Sequence, residues 1–231
     1  MISSTRLFCL PFFTLGVLAV VAGQGSTSAE LTYFGRSSVK IRTASGLVVY
    51  IDPYAPGDYS EPADLILVTH GHSDHNRTGL VARKPSTIIA APAGAVSERG
   101  ARDVAEGESF VVGSITVRAL PAANKNHDRA VSRGFLVSFD DLAVYHAGDT
   151  DYLPEMAGYG VYGITHALLP CDGFYNMGPE EASRCAETMK AGAVMPIHSS
   201  KSGIFDEKNA RAVRAKNLVV LKPGETAKLR P

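Results

Sequence analysis

The sequence has no excess of charge of either sign, with 23 Lys and Arg set against 23 Asp and Glu in 231 residues. That balance removes the electrostatic case for nucleic acid or an anionic membrane as a partner. No short-period repeat is visible and low-complexity stretches are few, so with 45% hydrophobic residues the chain reads as globular, not disordered. Cysteine is scarce: Cys9 lies in an N-terminal apolar run, leaving Cys171 and Cys185. An exported chain could oxidise that pair. Two buried thiols is the preferred reading, because Cys185 reads as the apolar face of a helix while Cys171 ends a strand.

An apolar run long enough to span a membrane is also lacking. Leu7 to Ala22 is apolar for about sixteen residues and contains Pro11, which is short for a span. It follows a short segment carrying one positive charge, Met1 to Arg6, and precedes the small, polar Gly23 to Ala29. This three-part layout predicts a secretory signal peptide over residues 1–29, cleaved after Ala22 or Ala29. The expectation is an exported protein, periplasmic or secreted, with no stable membrane insertion after cleavage and a single domain over residues 30–231.

From Glu30 the chain alternates short β-like runs with helical pieces. Strands are expected at 31–34, 39–43, 47–51, from Leu65, and at 87–91. The second half gives strands at 109–112, 115–120, 134–139, 142–146, 167–169, 194–197 and 218–221. Helices are expected at 78–82, at 93–99 ended by Gly100, and at 207–216. The best helix runs from Pro179 to Lys190, with proline in its first turn, Glu180 and Glu181 near the positive end of the dipole, and Gly192 after it. Two strand-rich halves closing with helices predict an α/β (α+β) protein built as a sandwich of two sheets with helices outside.

The richest segment is Thr69-His70-Gly71-His72-Ser73-Asp74-His75, three imidazoles and a carboxylate in seven residues. It follows the apolar run Leu65-Ile66-Leu67-Val68, so its ligands stand just past the carboxyl end of a buried strand. Neutral imidazole and carboxylate suit zinc, and also accept manganese or iron. Farther along, Asp149 follows a strand in His146-Ala147-Gly148-Asp149-Thr150, and His198 follows Met195-Pro196-Ile197. A carboxylate placed between two metals can bridge them.

These segments, with Leu168-Leu169-Pro170, run in the order found in the metallo-β-lactamase superfamily, which the chain resembles. Its opening motif is His-x-His-x-Asp-His, and the likeness is strongest to simple hydrolases related to the ascorbate-phosphate lactonase. The resemblance implies a four-layer αββα sandwich with two divalent metal ions, zinc expected, at one edge. It assigns His70 and His72 to the first metal, Asp74, His75 and His198 to the second, and Asp149 to the bridge. The remaining first-metal ligand falls within Pro121 to His127, where His127 is the candidate and Asn124 the alternative. His146 and His166 are read as structural. Asp52 either orients a ligand histidine or forms a turn before Pro53.

In such a site two adjacent ions lower the pKa of a shared water and hold the hydroxide for attack, with Asp74 orienting it or accepting its proton. The implied activity is hydrolysis of an ester, lactone, amide or phosphodiester bond in a small-molecule substrate. Lys125, Arg133 and Lys201 could approach an anionic group but read as surface charges. The rival reading is an exported metal-binding protein without turnover.

Overall fold

The computed structural model describes Met1 and residues 28–231. The expected signal peptide therefore lies almost wholly outside the described residues. No helix among them is long and apolar enough to cross a membrane.

Among the described residues thirteen strands form two mixed sheets. In chain order they are β1 (Glu30–Gly35), β2 (Ser38–Arg42), β3 (Val48–Ile51), β4 (Ala63–Leu67), β5 (Arg83–Ala91), β6 (Arg102–Asp103), β7 (Ser109–Val112), β8 (Ile115–Pro121), β9 (Arg133–Phe139), β10 (Leu142–His146), β11 (His166–Pro170), β12 (Ala193–Ile197) and β13 (Thr226–Lys228). The first sheet runs β13-β1-β2-β3-β4-β5-β6 and the second β12-β11-β10-β9-β8-β7. Each begins as an antiparallel meander and continues through parallel pairs, β3 to β6 in one and β10 to β12 in the other.

The period-2 alternation of strands explains the stacking. In β3, Val49 and Ile51 enter the core between the sheets while Val48 and Tyr50 face outward. In β9, Phe135, Val137 and Phe139 meet them from the other side, while Leu136 faces out. The outer face of the second sheet is covered by α1 (Pro179–Thr188), whose Ala182, Cys185 and Ala186 pack with Tyr145 and Leu169. The outer face of the first sheet buries Phe34, Tyr50, Tyr59 and Ile66 beneath loops and a 3-10 turn at Thr78–Leu80.

Several local expectations give way. Residues 93–99 form turns and bends instead of a helix, because Gly94 is left-handed at φ 77° and Asn76 Nδ2 donates to the Ala95 carbonyl. The helix expected at 207–216 is α2 (Glu207–Ala212), ended where Val213 turns extended and buries itself beneath α1. Residues 218–221 make one bridge, Leu218 to Val194, and are not a strand; the terminal strand is β13, paired to β1. A 3-10 helix at Pro154–Tyr162 was not expected. Cys171 and Cys185 are free, buried thiols.

Candidate metal centre

The carboxyl ends of β4, β10, β11 and β12 converge at one edge of the sandwich, where the loops after them carry the site. Gly148 makes this possible after β10. Its φ is 65°, and a Cβ there would lie 2.9 Å from both the Arg133 carbonyl and Thr69 Cβ. The tight Gly148 turn lays Asp149 beside the loop that follows β4.

All seven residues expected as ligands meet there. His70, His72 and His127 form one group, His70, His75 and Asp149 a second, and Asp74, His75 and His198 a third, with the ligand atoms within 4.8 Å of one another in each. Asp149 stands between them. Its Oδ1 is 3.5 Å from His75 Nε2, and its Oδ2 is 3.4 Å from both His127 Nε2 and His198 Nε2. Asp74 reaches His75 Nε2 and His198 Nε2, each at 3.8 Å. His70 Nε2 and His72 Nδ1 approach to 3.1 Å.

The opposite nitrogens of three histidines are hydrogen-bonded from behind and that of a fourth, His198, faces a buried carboxylate, which fixes the atoms that face the site. His75 Nδ1 donates to Asp52 Oδ2 at 2.8 Å, and Thr69 donates to the same carboxylate through its amide and hydroxyl, both at 2.7 Å. With its proton committed to Asp52, the Thr69 hydroxyl oxygen can accept from His70 Nδ1, 3.1 Å away. Asp52 is thus an orienting residue as well as the turn residue before Pro53. His198 Nδ1 lies 3.0 Å from Asp172 Oδ2. His127 Nδ1 donates to Asn124 Oδ1 at 2.8 Å, while Asn124 Nδ2 donates to the Tyr175 carbonyl and to Asn176 Oδ1, both at 3.0 Å. Asn124 therefore supports His127, and His127 is the residue turned to the site.

The residues present fit a cation. His75 Nε2 is buried without a hydrogen-bond partner. Nδ1 gives its proton to Asp52, so Nε2 faces the Asp149 carboxylate, an arrangement that calls for a positive charge, a proton or a metal ion, between them. Burial works against a charged His75, but Asp149 and Asp52 outweigh it and hold its pKa well above 6.5. His198 is treated the same way: burial lowers it, yet Asp149, Asp172 and Asp74 raise it to about 9. Burial, reinforced by His75, holds His70 neutral with a pKa of about 2. Burial alone would raise Asp149 and Asp74, but neighbouring histidines keep both carboxyls below the usual range.

The site opens into a pocket of about 320 Å³ lined by Arg36, His72, Asp74, Asn126, His127, Asp149, Tyr175 and His198. A larger cleft of about 1000 Å³ lies against α1 and residues 212–217 and contains none of the candidate ligands. Arg36, Asp172 and Tyr175 were not among the expected site residues. Asp172 follows β11 at its carboxyl end, a position that could have signalled it; Arg36 sits in a Gly-Arg turn with no distinguishing spacing.

The cations considered from sequence have other roles. Arg133 is buried with its guanidinium on the carbonyls of Arg129, Ala130 and Ser132, and Lys201 lies over the Phe174 ring at 3.6 Å. Lys125 does not line the pocket. His146 donates from Nε2 to the Ser37 carbonyl at 2.8 Å and accepts the Gly148 amide at Nδ1, so it braces the Asp149 turn. His166 lies away from the site, its Nδ1 3.0 Å from the Thr165 hydroxyl.

Comparison with known proteins agrees with this geometry. Residues 30–198 match the model of the beta-lactamase superfamily domain. The UPF0173 metal-dependent hydrolase of Methanoregula boonei is 35% identical over 73% of this chain and 81% of its own length. A metal-dependent hydrolase of Pyrococcus horikoshii is 33% identical over 78% of this chain and 92% of its own. Among solved structures, the metallo hydrolase Igni18 of Ignicoccus hospitalis superposes with a TM-score of 0.67 at 25% identity, covering 88% of this chain and 99% of that one. The chain belongs to the beta-lactamase superfamily and is a metal-dependent hydrolase of the metallo-β-lactamase fold.

Proposed function

We propose that the protein hydrolyses an ester, lactone, amide or phosphodiester bond of a small molecule at a centre of two divalent cations, zinc being the expected metal. In this reading His70, His72 and His127 hold one cation, Asp74, His75 and His198 the other, and Asp149 lies between. The observation that carries it is the position of Asp149, whose two oxygens face His75, His127 and His198 within 3.5 Å. Charge supports two cations over one. Four carboxylates stand in or behind the cluster, Asp74 and Asp149 facing it and Asp52 and Asp172 backing His75 and His198, while Arg36 is the one Arg or Lys lining the pocket.

When bound, such metals act as Lewis acids that polarise the scissile group and bring the pKa of a coordinated water toward neutrality. The protein's own groups do the rest. Asp52, Asp172, Asn124 and Thr69 orient His75, His198, His127 and His70 respectively. Asp74 is part-exposed at the pocket and ionised at neutral pH, so its carboxylate can accept the proton of an attacking water. The pocket admits a small molecule and keeps Tyr175 and Asn126 at its wall.

The test is a hydrolysis screen of metal-loaded protein on p-nitrophenyl esters, simple lactones and bis(p-nitrophenyl) phosphate, with Asp74→Asn alongside. The expected result is turnover of at least one class, abolished by chelation and reduced on the order of 100-fold in the variant, the scale of a lost proton acceptor. Turnover that survives both chelation and Asp74→Asn would contradict the assignment.

A further inference from the structure

Arg36 is not part of the ligand cluster, yet the fold places it at the pocket. It lies in the two-residue turn of the β1–β2 hairpin, and the backbone there is unusual. Arg36 is left-handed at φ 51°, next to Gly35 at φ 121°. A Cβ at Gly35 would meet Ile204 Cβ at 3.0 Å and Ala55 Cβ at 3.3 Å. The turn is fastened on both sides: the Arg36 amide donates to the Ile204 carbonyl at 2.7 Å, and the Arg36 carbonyl accepts the His198 amide at 2.7 Å. His198 is itself left-handed at φ 41°. Two sparsely populated backbone conformations are thus locked together at the point where a guanidinium meets the candidate metal residues.

The guanidinium is only partly used by the protein. Nη1 donates to the Ser200 carbonyl at 2.8 Å and approaches His198 Nε2 at 3.4 Å. Nε lies 3.8 Å from Asp74 Oδ2, outside hydrogen-bond range. Among the described residues Nη2 has no hydrogen-bond partner, although the side chain is only 13% exposed and lines the pocket. A planar fork with open donors, anchored at one end and beside the reacting centre, matches the geometry of a carboxylate or phosphate.

We propose that Arg36 is a specificity-determining residue that selects substrates carrying a carboxylate or phosphate group at or next to the scissile bond. This rests on the hydrolase reading of the same pocket and narrows its substrate class to anions. Lys201 stands over Phe174, whose neighbour Tyr175 lines the pocket, and adds positive potential at the approach.

The test is inorganic phosphate binding to metal-loaded wild type and R36Q, measured by calorimetry, with metal content checked in both. Phosphate should bind roughly tenfold more weakly to R36Q, while R36K, which keeps the charge but not the planar fork, should recover only part of the loss. In turnover, the ratio of kcat/KM for bis(p-nitrophenyl) phosphate to that for neutral p-nitrophenyl acetate should fall about tenfold in R36Q, mainly through KM. Equal phosphate affinity in wild type and R36Q overturns the inference, as does an equal fall on both probes. If neither probe is turned over, the phosphate result alone decides the role of Arg36, and the hydrolase reading is judged separately on the full ester, lactone and phosphodiester screen. Should R36Q not fold, phosphate should shield Arg36 of the wild type from phenylglyoxal, read by mass spectrometry. Unshielded labelling would then overturn it.

Discussion

Asp172 stands behind His198 as Asp52 stands behind His75, and both carboxylates are buried. Asp172 also gathers the loop that follows it, its Oδ1 accepting the amides of Phe174 and Tyr175 at 2.7 and 2.6 Å. Asp172→Asn keeps an oxygen for those amides but removes the anionic partner of His198. Metal affinity in chelator competition is expected to weaken about 10- to 100-fold, the usual scale for a lost orienting carboxylate; unchanged affinity would refute that role. His166 gives a different test, far from the site. Burial lowers its pKa below 6.5 in the folded protein, so on acidification the unfolded chain takes up a proton that the folded chain does not. Its contribution is therefore present above about pH 6.5 and lost as the pH falls below it. In urea titrations of metal-free protein, His166→Gln should lose less stability than wild type between about pH 7 and pH 5.5. A parallel loss in both would show that His166 does not titrate as described.

The elements that present the site depend on turns more than on helices. Gly148 has φ 65° and no room for a Cβ, whereas Gly158 has nothing within 4 Å of the added atom. Gly148→Ala should lower stability by about 1–3 kcal/mol in thermal unfolding, and Gly158→Ala should stay within about 0.5 kcal/mol of wild type. Similar effects of the two would remove the steric argument for the Asp149 turn. The strands were legible because inter-sheet burial imposes a period of two, as with Val49 and Ile51 against Val48 and Tyr50. α1 was legible from its proline, its first-turn acids and its apolar face. The segment at 93–99 was not, because Gly94 and the hold of Asn76 on Ala95 outweigh a composition that suits a helix. β13 was hidden for another reason: three residues paired at a distance to β1 leave no local pattern. The apolar run at 218–221 misled because Val219 and Leu221 pack against the core while the backbone makes a single bridge.

Across the whole molecule, the candidate ligands come from four separate loops at one edge of the sandwich, and only the sheets bring them together. The candidate ligands could be picked out from sequence because metal-binding side chains are chemically distinctive and cluster past strand ends. Their supports could not, since Asn124, Asp172 and Thr69 are ordinary polar residues until the fold sets each beside a particular ring nitrogen. Arg36 escaped for the same reason, because it reaches the pocket from the far end of the chain through the β1–β2 turn. The central claim is that Asp149 joins two cations into one centre. The measurement that tests it most directly is metal content by plasma mass spectrometry, on protein prepared without chelators, for wild type and Asp149→Ala. The account predicts close to two divalent metals per chain in the wild type and a clear loss in the variant. One metal per chain, held equally by both proteins, would contradict it.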